Sequence, residues 1–319
     1  MKGSLGKVWV VSIPMRTAFR GVKHREALII QGERFAEWSP FLEYEDQEAA
    51  TWLKGAFSWA NDPLPTLVRD QISINATLPA VTPDEVADVL LQFGKFRTVK
   101  IKVAAPGEGL AQDMARIETV RTLYPEAKLR LDANGGYTIA QALQMAEQLN
   151  DFNLEYLEQP VQTIAEMAQL RKQLAGSGVK IAADESIRKS ADPQEVMRAG
   201  AADIVMLKAQ PLGGVAASLD IANSLGLEVV VSSALETSLG ISQGLYLAGA
   251  LPELNYDCGL GTLNLFSGDI VQQSLIPSDS VLDVRVVQPD LDLLEKFAAS
   301  EERTSWWEAR LARCLELNT

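Results

Sequence analysis

Five charged residues recur along the middle of the chain at a near-constant spacing, and each one closes a short apolar run. They are Lys102, Asp132, Glu158, Asp184 and Lys208, separated by 30, 26, 26 and 24 residues. A strand, a helix and two loops of ordinary length fill such an interval, so the spacing predicts repeated β-α units of one parallel sheet. In a parallel α/β barrel the carboxyl ends of the strands converge on one face, where that fold keeps its chemistry. The pattern therefore predicts a barrel whose mouth holds three carboxylates between two lysines.

Three further segments bring the count of predicted strands to eight. The alternating run 71–78 precedes a helix with Pro83 in its first turn, and the runs 227–233 and 254–258 supply the last two strands. Amphipathic helices are predicted over residues 110–123, 138–149, 164–174 and 214–225. The alternative is an open doubly wound sheet, which would more naturally carry a glycine-rich turn after its first strand. The chain has no such turn, so the barrel is favoured.

The two ends of the chain do not follow the β-α spacing. Residues 1–70 predict a strand at 7–15, a strand at 26–31 and a helix at 45–59, followed by a proline-containing linker at 61–65. After residue 275, an extended piece at 281–287 leads to a tail helix that contains Trp306 and Trp307. We therefore expect a small N-terminal α+β capping domain at 1–70, a barrel at 71–275, and a C-terminal segment at 276–319 that returns to the cap.

Composition limits the compartment and the partners. The longest apolar stretches are too short to span a bilayer, and Pro14 and Arg16 interrupt the N-terminal apolar run, so no signal peptide is predicted. Two cysteines, Cys258 and Cys314, are consistent with a reducing cytoplasm. A net charge of −13 argues against nucleic acid as a partner. The sequence makes no prediction about oligomeric state.

The chain contains a single histidine, His24, which lies in a basic run near the N-terminus. Hydrolase triads of the histidine type and zinc sites built from His and Cys are therefore improbable. If the chain catalyses a reaction, lysines and carboxylates must carry the proton transfers. A lysine with its ordinary pKa of about 10.4 is a poor base, and burial or a neighbouring cation is needed to lower that value.

The three strand-end acids are candidate ligands of a hard cation. Asp132, Glu158 and Asp184 could instead be helix N-caps or ordinary loop carboxylates, but each directly follows an apolar run in successive units. Carboxylate oxygens suit Mg²⁺ better than zinc. Lys100 and Lys102 alternate, so both point the same way, into the mouth if their strand is the second of a closed barrel. On an edge strand they would face solvent.

Further polar positions complete the candidate site. Lys208 follows a mostly apolar run, which makes a solvated surface position unlikely. Asn134 and Glu185 are candidates to orient ligands or lysines by hydrogen bonds. The glycines of the segment 259–262 could shape a turn or present backbone N–H groups to an anion.

These motifs together resemble those of the enolase superfamily, in the subgroup typified by muconate lactonizing enzyme. The resemblance covers the whole chain, and its motifs are Lys100-Ile101-Lys102, LDANGG, LEQP, ADES and LKAQ. It implies a modified TIM barrel of the (β/α)7β type with a capping domain completed by the C-terminal tail. It also implies that Asp132, Glu158 and Asp184 bind Mg²⁺, for which Mn²⁺ could substitute. Lys102 and Lys208 would be the acid/base pair on opposite faces of the substrate.

Within this subgroup the chain is most similar to the o-succinylbenzoate synthase family in its compact actinobacterial form, in segments 17–22, 37–41, 231–238 and 258–262. That resemblance implies dehydration of 2-succinyl-6-hydroxy-2,4-cyclohexadiene-1-carboxylate to o-succinylbenzoate, for menaquinone synthesis, through an ene-diolate. Lys102 would remove the proton and then protonate the leaving hydroxide. The succinyl tail would meet open backbone N–H groups at Ser233 and Gly259, with Arg20 closing over it. Asp257-Cys258-Gly259 departs from the DxD pair of the dipeptide epimerases.

Three other functions remain open at this point. Racemisation of N-succinyl amino acids, or another epimerase or cycloisomerase reaction of the superfamily, would use the same residues with Lys208 as a second working base. A Schiff-base aldolase would use Lys208 as its nucleophile but would leave the three carboxylates without a purpose. A non-enzymatic barrel would be expected to have lost some of the five charged residues, and all five are present.

Overall fold

The computed structural model describes residues 6–19, 21–190 and 192–318. The chain begins with an antiparallel sheet of β1 (Val8–Phe19), β2 (Val22–Gln31) and β3 (Phe35–Trp38), in that order. The helix α1 (Asp46–Asn61) follows and buries Trp52, Leu53 and Trp59 against this sheet. Both predicted strands are present and longer than expected. The four-residue β3 was not predicted.

A sheet of seven parallel strands forms the barrel, and its strands are neighbours in chain order. They are β5 (Ala76–Leu78), β6 (Thr98–Lys102), β7 (Lys128–Asp132), β8 (Leu154–Glu158), β9 (Lys180–Ala183), β10 (Ile204–Leu207) and β11 (Glu228–Val231). The register pairs Lys102 with Asp132 and Asp132 with Glu158. Because side chains of paired residues project to the same face, the predicted charged residues are brought together at the carboxyl ends of the strands. The predicted barrel architecture is confirmed.

The predictions were wrong in detail at the seam where the barrel closes. The run 71–78 is divided into β4 (Gln71–Ser73), which pairs antiparallel with β12 (Val281–Asp283), and β5. Residues 254–258 form no regular strand. The backbone carbonyl of Asp257 accepts a hydrogen bond from Arg130 Nη1 (2.5 Å) instead of joining a ladder. Isolated parallel bridges from Ile74 to Cys258 and from Ser232 to Gly259 close the barrel at this point.

Helices lie between the strands close to where the amphipathic patterns predict them. They are α2 (Val86–Leu91), α3 (Leu110–Leu123), α4 (Ile139–Gln148), α5 (Ile164–Gln173), α6 (Glu185–Arg188), α7 (Gln194–Arg198), α8 (Val215–Leu225) and α9 (Ser238–Ala250). A short 3₁₀ helix at Pro83–Glu85 precedes α2. No helix within the described ranges has the length and apolar character needed to cross a membrane.

The C-terminal segment returns to the N-terminal sheet. After β12, the helices α10 (Leu291–Lys296) and α11 (Glu301–Leu317) follow, and α11 packs against α1. Trp307 is fully buried, makes an edge-to-face contact with Trp38 (ring centroids 5.3 Å apart), and donates a hydrogen bond from Nε1 to Glu26 (2.7 Å). The cap is therefore built from both ends of the chain.

Candidate active site

The five predicted charged residues lie together at the carboxyl ends of β6–β10. Each of them is buried, with at most 9% of its surface exposed. Buried charges are found only where they are paired or bind a cation, because an unpaired one loses its hydration without compensation. The partners of each charge therefore indicate what the site can do.

Lys100 lies between two of the carboxylates. Its Nζ donates to both oxygens of Glu158 (3.1 and 3.0 Å) and lies 3.6 Å from Oδ2 of Asp132. Burial alone would lower the pKa of Lys100, but these two carboxylates outweigh it and raise the pKa above its ordinary value. Lys100 is therefore a fixed positive charge rather than a base. This is the contact expected of a residue that orients the candidate ligands.

Asp184 is paired with the second predicted acid/base lysine. Lys208 Nζ donates to Asp184 Oδ2 (2.6 Å), and Arg188 Nε lies 3.3 Å from Oδ1. Burial alone would raise the pKa of Asp184, but the charges of Lys208 and Arg188 lower it below its ordinary value, so the group is ionised. Oδ1 is nevertheless buried and accepts no hydrogen bond from any described residue.

The three acids fit a divalent cation in their chemistry but are not preassembled around one. Among the described residues, no three His, Cys, Asp or Glu side chains converge closely enough to hold a metal ion. Instead, the carboxylates face lysine ammonium groups. Burial raises the pKa of Glu158 to about 7, and the negative charges of Asp132 and Asp184 add to the rise against the effect of Lys100. A cation bound to the carboxylate oxygens would relieve their mutual repulsion and would give Asp184 Oδ1, which accepts no hydrogen bond from a described residue, a ligand.

Lys102 is held by a different set of groups. Its Nζ donates to the carbonyl of Asp132 (3.1 Å) and to Oδ1 of Asn134, and Asn134 Nδ2 donates in turn to Glu185 Oε1 (3.1 Å). Burial lowers the pKa of Lys102, while the carboxylates of Asp132 and Glu185 limit the fall. A lysine whose pKa is lowered is a better base near neutral pH. Asn134 thus contacts Lys102 directly, and Glu185 contacts it through Asn134.

A cavity of about 40 Å³ lies above these groups, between the cap and the barrel. Its lining includes Phe19, Phe41 and Trp52 from the cap, and Thr77, Lys208 and residues 233–235 from the barrel. This volume is far below the roughly 300–1,000 Å³ typical of ligand sites, so a substrate fits only if the residues that line the cavity move apart. A wider groove of about 660 Å³ lies at the opposite end of the barrel, where β6 and β7 begin, away from the lysine pairs.

The expectation for the substrate tail is corrected by the structure. The N–H of Gly259 donates to the carbonyl of Val231 (2.8 Å), and the N–H of Ser233 donates to the carbonyl of Gly259 (3.0 Å). Neither group is open to a ligand, because both form the bridges that close the barrel. The hydroxyl of Ser233 does reach the cavity, where it contacts the hydroxyl of Thr262 (2.6 Å). Arg20 lies outside the described residues.

Arg188 is a residue that the sequence reasoning missed. Its guanidinium lines the cavity, contacts Asp184 and donates to Glu185 (2.6 Å) and to the hydroxyl of Tyr44 in the cap (3.0 Å). Its position one helical turn after Asp184 was the available signal, since side chains at i and i+4 of a helix are neighbours. The contact with Tyr44 could not be read from a local pattern.

Two family models match the chain. Residues 83–289 match the model described as enolase C-terminal domain-like, and residues 10–60 match the one described as enolase N-terminal domain-like. Solved structures with a similar fold include muconate lactonizing enzyme from Pseudomonas fluorescens, at a TM-score of 0.79 and 21% identity over 94% of this chain and 100% of the other. Another is 2-chloromuconate cycloisomerase from Rhodococcus opacus, at a TM-score of 0.80 and 20% identity over 93% and 100%.

Two curated relatives are much more similar in sequence. A protein of Mycolicibacterium smegmatis named o-succinylbenzoate synthase is 48% identical over 97% of this chain and 95% of its own length. A protein of Mycobacterium tuberculosis with the same name is 46% identical over 99% and 96%. The similarity extends over the cap, the barrel and the tail.

Proposed function

The chain belongs to the enolase superfamily, and from this membership we propose that it acts as an o-succinylbenzoate synthase. The substrate would be 2-succinyl-6-hydroxy-2,4-cyclohexadiene-1-carboxylate, and the reaction would be loss of water to give the aromatic product. The reaction class is supported by relatives of that name that are 48% and 46% identical over nearly the full length of the chain. The observation that carries the proposal is the burial of Lys102 and Lys208 at one barrel mouth with three carboxylates.

Enzymes of this superfamily generally use a divalent metal, and we propose Mg²⁺ for this chain. Asp132, Glu158 and Asp184 would hold it, because their oxygens suit a hard cation and their mutual repulsion would be relieved. When bound, such an ion supplies positive charge where negative charge develops on the substrate carboxylate. Lys100, already paired with Glu158 and Asp132, would keep these two side chains oriented.

Lys102 is proposed to act as base and then as acid. In its neutral form it takes the proton from the ring carbon that carries the carboxylate. The electron pair of that C–H bond first delocalises into the carboxylate as an ene-diolate. In the second step the pair forms a ring double bond as the adjacent C–O bond breaks, and the ammonium of Lys102 gives its proton to the departing hydroxide. One water is released and the ring becomes aromatic. The lowered pKa of Lys102 and its fixed contact with Asn134 support this role.

Lys208 is proposed to stay cationic and to stabilise the negative charge that forms between the two steps. Its ion pair with Asp184 supports the charged form. Preorganised charges of this kind contribute most in a site that excludes water, and the cavity here is narrow. The succinyl tail would reach the wall that carries the hydroxyls of Ser233 and Thr262, with Arg20 as a further candidate contact.

The proposal is tested by assaying the purified chain with this substrate and following the absorbance of the aromatic product. We expect turnover that disappears in EDTA and returns when Mg²⁺ is added. Absence of product in the presence of Mg²⁺ would contradict the proposal. Exchange and loss of chirality at the alpha carbon of an N-succinyl amino acid in D₂O, without dehydration, would favour a racemase instead. A covalent adduct trapped by borohydride would favour the aldolase.

A further inference from the structure

One wall of the cavity is a short backbone segment that joins β11 to α9. We call residues 233–237 the wall segment; its residues Ser233, Ala234 and Leu235 line the cavity. Leu235 has a φ of +62°, in the left-handed region that a leucine adopts only when its surroundings impose it. Within the segment, Glu236 Oε2 accepts a hydrogen bond from Ala234 N (2.6 Å), and further contacts come from the cap.

Arg25, on strand β2 of the cap, contacts the wall segment from behind. Its Nε donates to the carbonyl of Leu235 (2.8 Å) and its Nη2 to the carbonyls of Ala234 (3.2 Å) and Ser39. The guanidinium also lies 4.5 Å from the ring centroid of Phe41, which lines the same cavity. Arg25 is only 2% exposed, so its N–H donors are shielded from water and depend on acceptors within the protein. Two of the three carbonyls that accept from Arg25 thus belong to residues that line the cavity wall.

Glu37, on strand β3 of the cap, holds the other end of the segment. Its carboxylate accepts hydrogen bonds from Thr237 N (3.0 Å), Thr237 Oγ1 (2.6 Å) and Gly240 N (3.1 Å). These donors belong to the N-cap and first turn of α9, where backbone N–H groups have no partner within the helix. Ser39 Oγ donates to the same carboxylate (2.7 Å). The cap thus supplies the acceptor that anchors a barrel helix.

We propose that Arg25 and Glu37 are positioning residues through which the cap sets the shape of the cavity wall formed by residues 233–237. The inference rests on the proposed function, because it concerns the part of the substrate that lies against this wall. Neither residue lines the cavity. Their effect is to hold the backbone and hydroxyl groups of the wall segment where the non-reacting part of the substrate is bound.

Other cap contacts provide a comparison. Arg303 pairs with Glu26 (2.7 Å) and joins the cap to the C-terminal tail. It does not contact the wall segment. If cap contacts served only stability, loss of Arg25 and loss of Arg303 would have the same kind of consequence for catalysis.

The test compares Arg25→Met, which keeps the length of the side chain but removes its donors, with the control Arg303→Met. For Arg25→Met we expect KM for the substrate and Kd for the product, measured by calorimetry, to rise about tenfold, because buried carbonyls lose their donors and the wall relaxes. The kcat and the affinity for Mg²⁺ should stay close to those of the wild type. Arg303→Met should leave KM and product affinity unchanged.

The variant Arg25→Lys tests the same inference if Arg25→Met does not fold. Lysine keeps the charge but cannot reproduce the fork of the guanidinium, so a smaller rise in KM is expected. Unchanged KM and product affinity in the folded Arg25 variants would overturn the inference, as would an equal effect of Arg303→Met. A parallel loss of kcat and Mg²⁺ affinity in Arg25→Lys would also overturn it. A wild type that does not dehydrate the substrate would contradict the proposed function instead.

Discussion

At the scale of the residue, Glu37 shows how strongly the surroundings change an ordinary side chain. Burial raises the pKa of Glu37 to about 7, and repulsion from Glu236 adds to the rise, while Thr237, Ser39 and Arg25 oppose it. The folded protein therefore holds this proton more tightly than the unfolded chain does. The resulting contribution to stability is fully present below a pH of about 4.5 and is lost as the pH rises through about 7.

A pH series of urea unfolding on the wild type and Glu37→Gln measures this effect. Glutamine cannot titrate, so the free energy of unfolding of the wild type relative to the variant should fall by about 2 to 3 kcal/mol between pH 5 and pH 8. Exposed Glu33→Gln serves as the control for losing a surface carboxylate. A difference between wild type and Glu37→Gln that does not change with pH would contradict this assignment.

At the scale of the element, the eighth strand position is reduced to bridges at Cys258 and Gly259, and this makes the seam sensitive to volume. A Cβ added at Gly259 would lie 2.5 Å from Ser232 Oγ and 3.2 Å from Ser232 Cβ. Gly259→Val should therefore displace Ser232 and narrow the cavity where the substrate tail is proposed to bind. We expect KM to rise about tenfold, which corresponds to about 1.4 kcal/mol of substrate-binding free energy, while the affinity for Mg²⁺ is unchanged.

The control for this prediction is Gly109→Val. An added Cβ at Gly109, in the loop before α3, meets only Gln112 Oε1 at 3.5 Å, so the kinetics should match those of the wild type. Loss of Mg²⁺ binding in Gly259→Val, or an unaltered KM, would show that the tail is bound elsewhere.

The same elements show how far the sequence alone could lead. The charged residues that end the strands were predictable, because each stands at the close of an apolar run with a regular spacing. The prediction of a strand at 254–258 was wrong. The Asp257 carbonyl there accepts a hydrogen bond from the Arg130 side chain and not from a neighbouring strand. Arg25 donates to Leu235, 210 residues away, so no local pattern could reveal its role. For Arg188 the spacing from Asp184 was a local signal, but its contact with Tyr44, 144 residues away, could not be read from the sequence.

At the scale of the whole molecule, cap, barrel and tail combine into one closed site. Arg25 and Glu37 connect the cap to the barrel, Tyr44 contacts Arg188 beside the candidate metal ligands, and Trp307 of the tail packs on the cap. The division of the chain into cap, barrel and C-terminal segment at about residues 70 and 275 stays a prediction. Because cap residues line the narrow cavity, its shape depends on the contacts that join the cap to the barrel.

The central claim is that this chain dehydrates its substrate with Lys102 as the base. The most direct measurement is the turnover of Lys102→Ala beside the wild type, with exposed Lys95→Ala as a control for loss of a lysine. We predict a fall of at least about 10²–10⁴-fold for Lys102→Ala, because an essential general base is removed, and turnover near that of the wild type for Lys95→Ala. A folded Lys102→Ala protein that still turns over at a near-normal rate would contradict the account.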